Sequence, residues 1–130
     1  MSDRVIKFRA KQTNGRGWFF GAYIPPEYAS YNVGTIYNGY MRVEIDEDTL
    51  GQYTGLCDSE EHEIYEGDII SFMYRSKKHV GAIYYSDGCF RVKSKTNMRD
   101  NKLFTVMLFN EIHVLGNVTD NPELLGGDTE

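Results

Sequence analysis

Short runs of alternating apolar and charged residues, punctuated by Asn-Gly and Asp-Gly pairs, constrain this chain more than any other feature. A period of two places successive side chains on opposite faces of an extended strand. In residues 4–11, Ile6, Phe8 and Ala10 are expected to face one way and Lys7, Arg9 and Lys11 the other. Asn14-Gly15 is expected to supply the positive φ angles of a tight turn, with Trp18 to Ile24 as the returning strand. Pro25-Pro26 ends that strand, because proline donates nothing to a ladder.

The pattern continues along the chain. Thr35 to Tyr37 and Tyr40 to Ile45 flank Asn38-Gly39 as a second strand pair, with residues 27–35 as a loop. Asp48 to Tyr53 reads as one helical turn capped by Asp48, and Thr54 to Glu63 as a polar connection. Ile69 to Tyr74, Val80 to Tyr85, Cys89 to Lys95, Leu103 to Phe109 and Ile112 to Val118 read as strands, with Arg75 to His79 a charged loop and Asp87-Gly88 a hairpin turn. Asn121-Pro122-Glu123 has the cap, proline and acid of a helix start, stopped by Gly126-Gly127. The expected class is mainly β: short-strand hairpins plus an SH3-like small barrel, with one or two short helical turns.

Composition narrows the partners. The net charge of −5 argues against a surface that coats nucleic acid or an anionic membrane wholesale. The charges are segregated, however: 13 of the 14 Lys and Arg fall within residues 4–16 and 75–102, and ten of the 19 acids within 44–68. Met1-Ser2-Asp3 runs straight into a charged strand with no apolar leader, and no window reaches about 18 apolar residues. The expectation is a cytoplasmic protein that neither spans nor binds a membrane. Cys57 and Cys89 form no CxxC pair and are expected as free thiols, with their mutual approach left open.

No motif assembles chemistry. Asp46-x-Asp48-x-Leu50-Gly51 begins like a calcium loop, but Leu stands at the fifth position and Cys57 where the bidentate Glu belongs. His62, His79 and His113 lie far apart, so neither metal nor cofactor is expected. Cys57 and His62 sit in an acidic stretch, and nearby carboxylates raise a thiol pKa, the wrong direction for a nucleophile. Glu60, Glu61, Glu63, Glu66 and Asp68 are dense enough for acid–base geometry to be imagined, but a solvated loop explains them. No catalytic residue is assigned, and no enzymatic activity is expected.

Two basic rows remain: Lys7, Arg9, Lys11 and Arg91, Lys93, Lys95. Each projects from one strand face at about 6.5–7 Å spacing, which suits phosphates, with Trp18, Tyr84 or Tyr85 as stacking surfaces. The competing reading is an ordinary solvent face, paired with acids such as Glu44 and Asp46. The segment around Tyr28, Tyr31, Tyr37 and Tyr40 suits a protein interface, since exposed tyrosines are enriched there.

A wider pattern carries a family resemblance. Ile6-Lys7-Phe8-Arg9-Ala10, Leu50-Gly51-Gln52-Tyr53-Thr54-Gly55-Leu56, Glu63-Ile64-Tyr65-Glu66-Gly67-Asp68-Ile69, Val114-Leu115-Gly116-Asn117-Val118 and Asn121-Pro122-Glu123-Leu124-Leu125 occur in the order seen in the YopX family of phage and prophage proteins, which the chain resembles over nearly its whole length. The resemblance implies one YopX-like domain over residues 1–130: an N-terminal hairpin lobe over about 1–55, an SH3-like barrel lobe over about 56–120 and a short C-terminal tail. It also implies a bacterial-cytoplasm setting, self-association, or binding of a host or phage protein, and no catalytic residues. The segment from Trp18 to Tyr40 departs most from the family pattern. The signature glycines read as turn and close-approach positions, hence as architecture.

Overall fold

The computed structural model describes residues 5–28, 32–74, 76–94, 101–103, 105–106 and 111–126. The chain divides into two compact units, Met1–Gly55 and Leu56–Glu130. Both are antiparallel β structures. Among the described residues no helix is long and apolar enough to cross a membrane.

In the first unit, β1 (Phe8–Gln12), β2 (Trp18–Ile24), β3 (Thr35–Tyr37) and the long β4 (Arg42–Cys57) pair in order. A further β1–β4 pairing closes these four strands on one another. Ala10, Ile36 and Ile45 are buried inside, ringed by Phe8, Phe19, Tyr23, Val43 and Leu50. Ile6, expected inward, lies ahead of β1 and is exposed.

Two local expectations are corrected here. The β1–β2 turn is longer than a two-residue turn: Gln12 N–H donates to the Gly17 carbonyl, and Gly15 and Gly17, not Asn14, take positive φ. Asn14 instead accepts from Arg16 N–H through its Oδ1 at 2.9 Å. Asp48 to Tyr53 is not a helical turn but part of β4, with a bulge: Arg9 opposes Gly51 while Lys11 opposes Asp46. Asp46 Oδ1 accepts Asp48 N–H at 3.0 Å, and Thr49 Oγ1 accepts Lys11 N–H from β1 at 2.8 Å. Asp and Thr side chains compete for backbone groups in this way, and one isolated turn has too few hydrogen bonds to resist them.

In the second unit, β10 (His113–Asn117), β6 (Asp68–Tyr74), β7 (Lys77–Ser86), β8 (Cys89–Ser94) and β9 (Asn101–Lys102) form a five-stranded sheet in that order. The short β5 (Glu63–Tyr65) hydrogen-bonds to β4. Among the described residues no ladder joins β9 to β10. The charged loop expected over Arg75 to His79 gives way to strand, because β7 already begins at Lys77; Arg75 lies outside the described residues. Asp87 and Gly88 take φ of 53° and 83°, the two positive angles of the expected hairpin.

One face of this sheet makes the core: Ile70, Phe72, Ile83 and Val92, joined by Ile64, Leu103, Val106 and Ile112. Leu103 and Val106 correct the strand expected over Leu103–Phe109. Leu103, Thr105 and Val106 are helical, which puts two buried apolar residues three apart on one face; positions 104 and 107–109 lie outside the described residues. An apolar run without polar alternation does not distinguish the two periods. A final helical turn, α1 (Glu123–Gly126), packs on β7.

Candidate functional site

The first basic row does not lie open. Arg9 is buried, with its guanidinium 4.7 Å from the Trp18 ring centroid. Lys11 lies directly opposite Trp18 across β1–β2, its Nζ 5.4 Å from the same ring, and opposite Asp46 across β1–β4. Lys7 sits 5.2 Å above Tyr53. These cation–π contacts spend the aromatic surface that a nucleic-acid base would need. Trp18 is a cover for the row rather than a platform.

The second row is organised differently. Arg91 is half-buried, donates from Nε to the Ser86 carbonyl at 3.1 Å, and lies in register between Tyr84 on β7 and Lys102 on β9. Lys93 is exposed opposite Ala82. Lys95 lies outside the described residues, whereas Lys102, which alternation alone did not single out, joins the row by cross-strand pairing. Tyr85 alternates to the other face and meets Phe90 edge-on at 5.2 Å.

Three of the candidate interface tyrosines of the first unit are open. Tyr28, Tyr37 and Tyr40 are 78%, 45% and 95% exposed; Tyr31 lies outside the described residues. Asn38 shapes the turn beneath them, accepting Tyr40 and Met41 N–H through Oδ1, both at 2.9 Å. Tyr37 opposes Ala22 on β2 and Arg42 on β4, and Phe20, two residues before Ala22, shares that outward face. Phe20 and Met41 add apolar surface, 47% and 52% exposed.

The most tightly built polar cluster was hidden in a segment read as a solvated acidic loop. Asp58 is buried, and its Oδ1 accepts Glu60 and His62 N–H at 2.9 and 2.8 Å. Its Oδ2 accepts Val114 N–H at 2.9 Å and faces His62 Nδ1 at 3.2 Å. Ser59 extends the clamp: its N–H donates to the Ile112 carbonyl, and its Oγ accepts Ile112 N–H. Two side chains therefore occupy the outer edge of β10, where an unpaired strand would invite another chain. Burial by itself pushes the Asp58 carboxyl up, but the donors from Val114, His62 and Glu60 outweigh it and hold it below the ordinary carboxylate value.

Asp58, Glu60 and His62 offer ligand atoms close enough to surround a cation. Both Asp58 oxygens are already occupied by N–H donors, so the carboxylate serves as a staple. His113 lies near Glu60 and Glu111 at 3.6 Å each, on the exposed rim. Cys57 and Cys89 carry free thiols. The sequence signal for the staple was present in Asp58-Ser59 ahead of the polar loop, since Asp bonding to amides two residues on is a standard turn former.

The remaining signature residues are spent on turns. Asp68 is buried and accepts Tyr65 N–H at 2.7 Å, across Gly67, whose φ is 94°. Asn121 Oδ1 accepts Asn117 N–H at 3.1 Å, while Asn121 N–H donates back to the Asn117 carbonyl. A Cβ on Gly116 would fall within 2.3 Å of that same Oδ1, so glycine is required for the lock.

The sequence profile of the YopX protein family matches residues 7–126. The chain belongs to the YopX protein family. No curated protein matches it. Among solved structures it is similar to protein EF1440 from Enterococcus faecalis, with 26% identity and a TM-score of 0.58 over 95% of this chain and 99% of that one. The sequence blocks that carry the resemblance lie on β1, β4, the β5–β6 turn and the β10–α1 lock.

Proposed function

We propose that this protein is a non-enzymatic phage or prophage accessory factor, acting in the bacterial cytoplasm by self-association through the outward aromatic face of its first unit. The observation that supports this is exposed Phe20 and Tyr37, which share the outward face of β2 and β3, with exposed Tyr40 and Met41 in the turn that follows β3. Large apolar groups gathered on one face mark contact surfaces, whereas single ones do not. The same face carries Arg42 and Glu44, both exposed and two residues apart on β4. A cation and an anion so placed are self-complementary about a two-fold axis, which favours a second copy over an unrelated partner. The buried Asp58 carboxylate is committed to backbone donors, which supports a binding role over a catalytic one.

Light scattering across a concentration series tests this. The wild type is expected to associate and Tyr37→Ser/Tyr40→Ser to run as a monomer. Arg42→Glu and Glu44→Arg should each weaken association, and the double swap should restore it. A wild type that stays monomeric at roughly millimolar concentration, far above the Kd range of stable dimers, would end the proposal.

A further inference from the structure

We propose that the face of β7, β8 and β9 bearing Tyr84, Arg91, Lys93 and Lys102 binds single-stranded nucleic acid. The surface is distinct from the aromatic face of the first unit and independent of its self-association.

Its charge is one-sided. By register, β7 to β9 put Lys78, Arg91, Lys93 and Lys102 on this face and carry no acid; Asp68 of β6 is buried and engaged by Tyr65 N–H. Among the described residues, the β7–β8 turn brings Asp87 and α1 brings Glu123; Asp100, ahead of β9, lies outside them. Among the described residues, neither forms an ion pair with Arg91, Lys93 or Lys102. In a chain of net charge −5, a face carrying Arg91, Lys93 and Lys102 together is a local arrangement rather than a result of composition.

The register sharpens this. Arg91 and Lys102 are direct cross-strand partners, and like charges placed so are unfavourable to the sheet. Lys93 shares the face two residues along, at about 6.5–7 Å from Arg91. A bound polyanion turns that repulsion into attraction by bridging the cations. Tyr84, opposite Arg91, puts a ring beside the row where a base can stack, which an acidic polypeptide could not use. Strand β8 is paired on both edges, with β7 and β9, so it cannot enter a duplex groove as a free two-stranded ribbon. A single strand laid across the sheet fits; a duplex does not.

The test is fluorescence anisotropy with labelled oligo-dT and oligo-U of roughly twelve nucleotides, a size within single-strand site ranges. Three phosphate contacts give a log–log salt slope of about −2, so affinity should fall roughly twentyfold when salt rises fourfold. Arg91→Ser/Lys93→Ser/Lys102→Ser should lose binding. The charge-matched Lys7→Ser/Lys11→Ser/Arg16→Ser should retain it. Tyr84→Leu should weaken binding roughly tenfold and leave the salt slope unchanged. Lys102→Ser alone, which relieves the like-charge pair, should fold normally by circular dichroism and still weaken binding. No anisotropy change at low salt, equal loss in both triple variants, equal binding of duplex DNA, or equal competition by polyglutamate would each overturn the proposal.

Discussion

Replacing Asp58 by alanine removes the acceptor for three backbone amides at once. Glu60 and His62 N–H lie in an exposed loop and can be rehydrated, but Val114 N–H belongs to β10, beside the core residue Ile112. Val114 is half-buried, so leaving its donor unsatisfied costs up to about 1–3 kcal/mol, and losing a charge-assisted bond costs a similar amount. Asp58→Ala is therefore expected to destabilise the second unit by about 2–4 kcal/mol and to lower Tm by on the order of 10 °C. Asp58→Asn, which keeps one acceptor oxygen, should cost less. Hydrogen exchange localises the effect, with the Val114 amide losing protection before Ile70 or Ile83. The pH dependence supplies a second readout. The folded carboxyl titrates below its ordinary value of 3.8, so its contribution is present above that value and is lost as pH falls through the folded one. The gap between wild type and Asp58→Ala should close in strongly acid solution. A gap that stays constant with pH, or a Tm change under about 2 °C, would refute the staple.

Further outcomes follow from the packing. Ile83→Ala empties a core position that is 2% exposed and should cost about 2–5 kcal/mol by urea denaturation. Gly116→Ala drives a Cβ into the Asn121 side chain and should cost about 1–3 kcal/mol, with loss of the Asn117 amide's exchange protection. Arg9→Ser removes a cation from the chain's single tryptophan; it should alter Trp18 emission and lower stability by about 1 kcal/mol. Tyr23, its phenol raised to about 12 by burial and by Glu47 and Glu27, keeps its proton where the unfolded chain has lost it. Stability from this group is full below pH 10 and falls as pH rises toward 12, and Tyr23→Phe should remove that alkaline decline.

The sequence made most of the β architecture legible because most strands bury one face. Ile70 and Phe72, Ile83, and Phe90 and Val92 alternate cleanly, and Asp87-Gly88 declares the hairpin that joins two of their strands. Where alternation fails, the reading fails. Asp46, Asp48 and Thr49 look like a helix cap because their side chains bond to nearby backbone in either setting, and only the β1 edge, 38 residues away at Lys11, decides for a bulge. Leu103 and Val106 lie in an apolar run broken only by Thr105, which suits helix or strand equally. The candidate surfaces depended still more on distant pairing. Nothing local says that Trp18 will cover Arg9, or that Lys102 will stand opposite Arg91.

The family signature and the exposed surfaces occupy different residues, and this determines what membership can teach. Gly67, Asp68, Gly116, Asn117 and Asn121 hold turns, and Tyr53 supplies a cover for Lys7. Substitutions there should register in stability assays while leaving partner selectivity unchanged in whatever remains folded. Phe20, Tyr37, Tyr40, Arg91, Lys93 and Lys102 lie outside the signature blocks, and all but the half-buried Arg91 are exposed. A YopX protein can therefore change its surface chemistry without paying in stability, because surface changes away from caps, cores and networks usually stay within about 0.5 kcal/mol. Such a scaffold predicts relatives with the same Asn-lock and β10 clamp but different partners. Comparing self-association of this chain with that of the Enterococcus faecalis protein, before and after exchanging the Phe20–Arg42 segment, tests the separation directly: association should follow the exchanged segment, while thermal stability should follow the host chain.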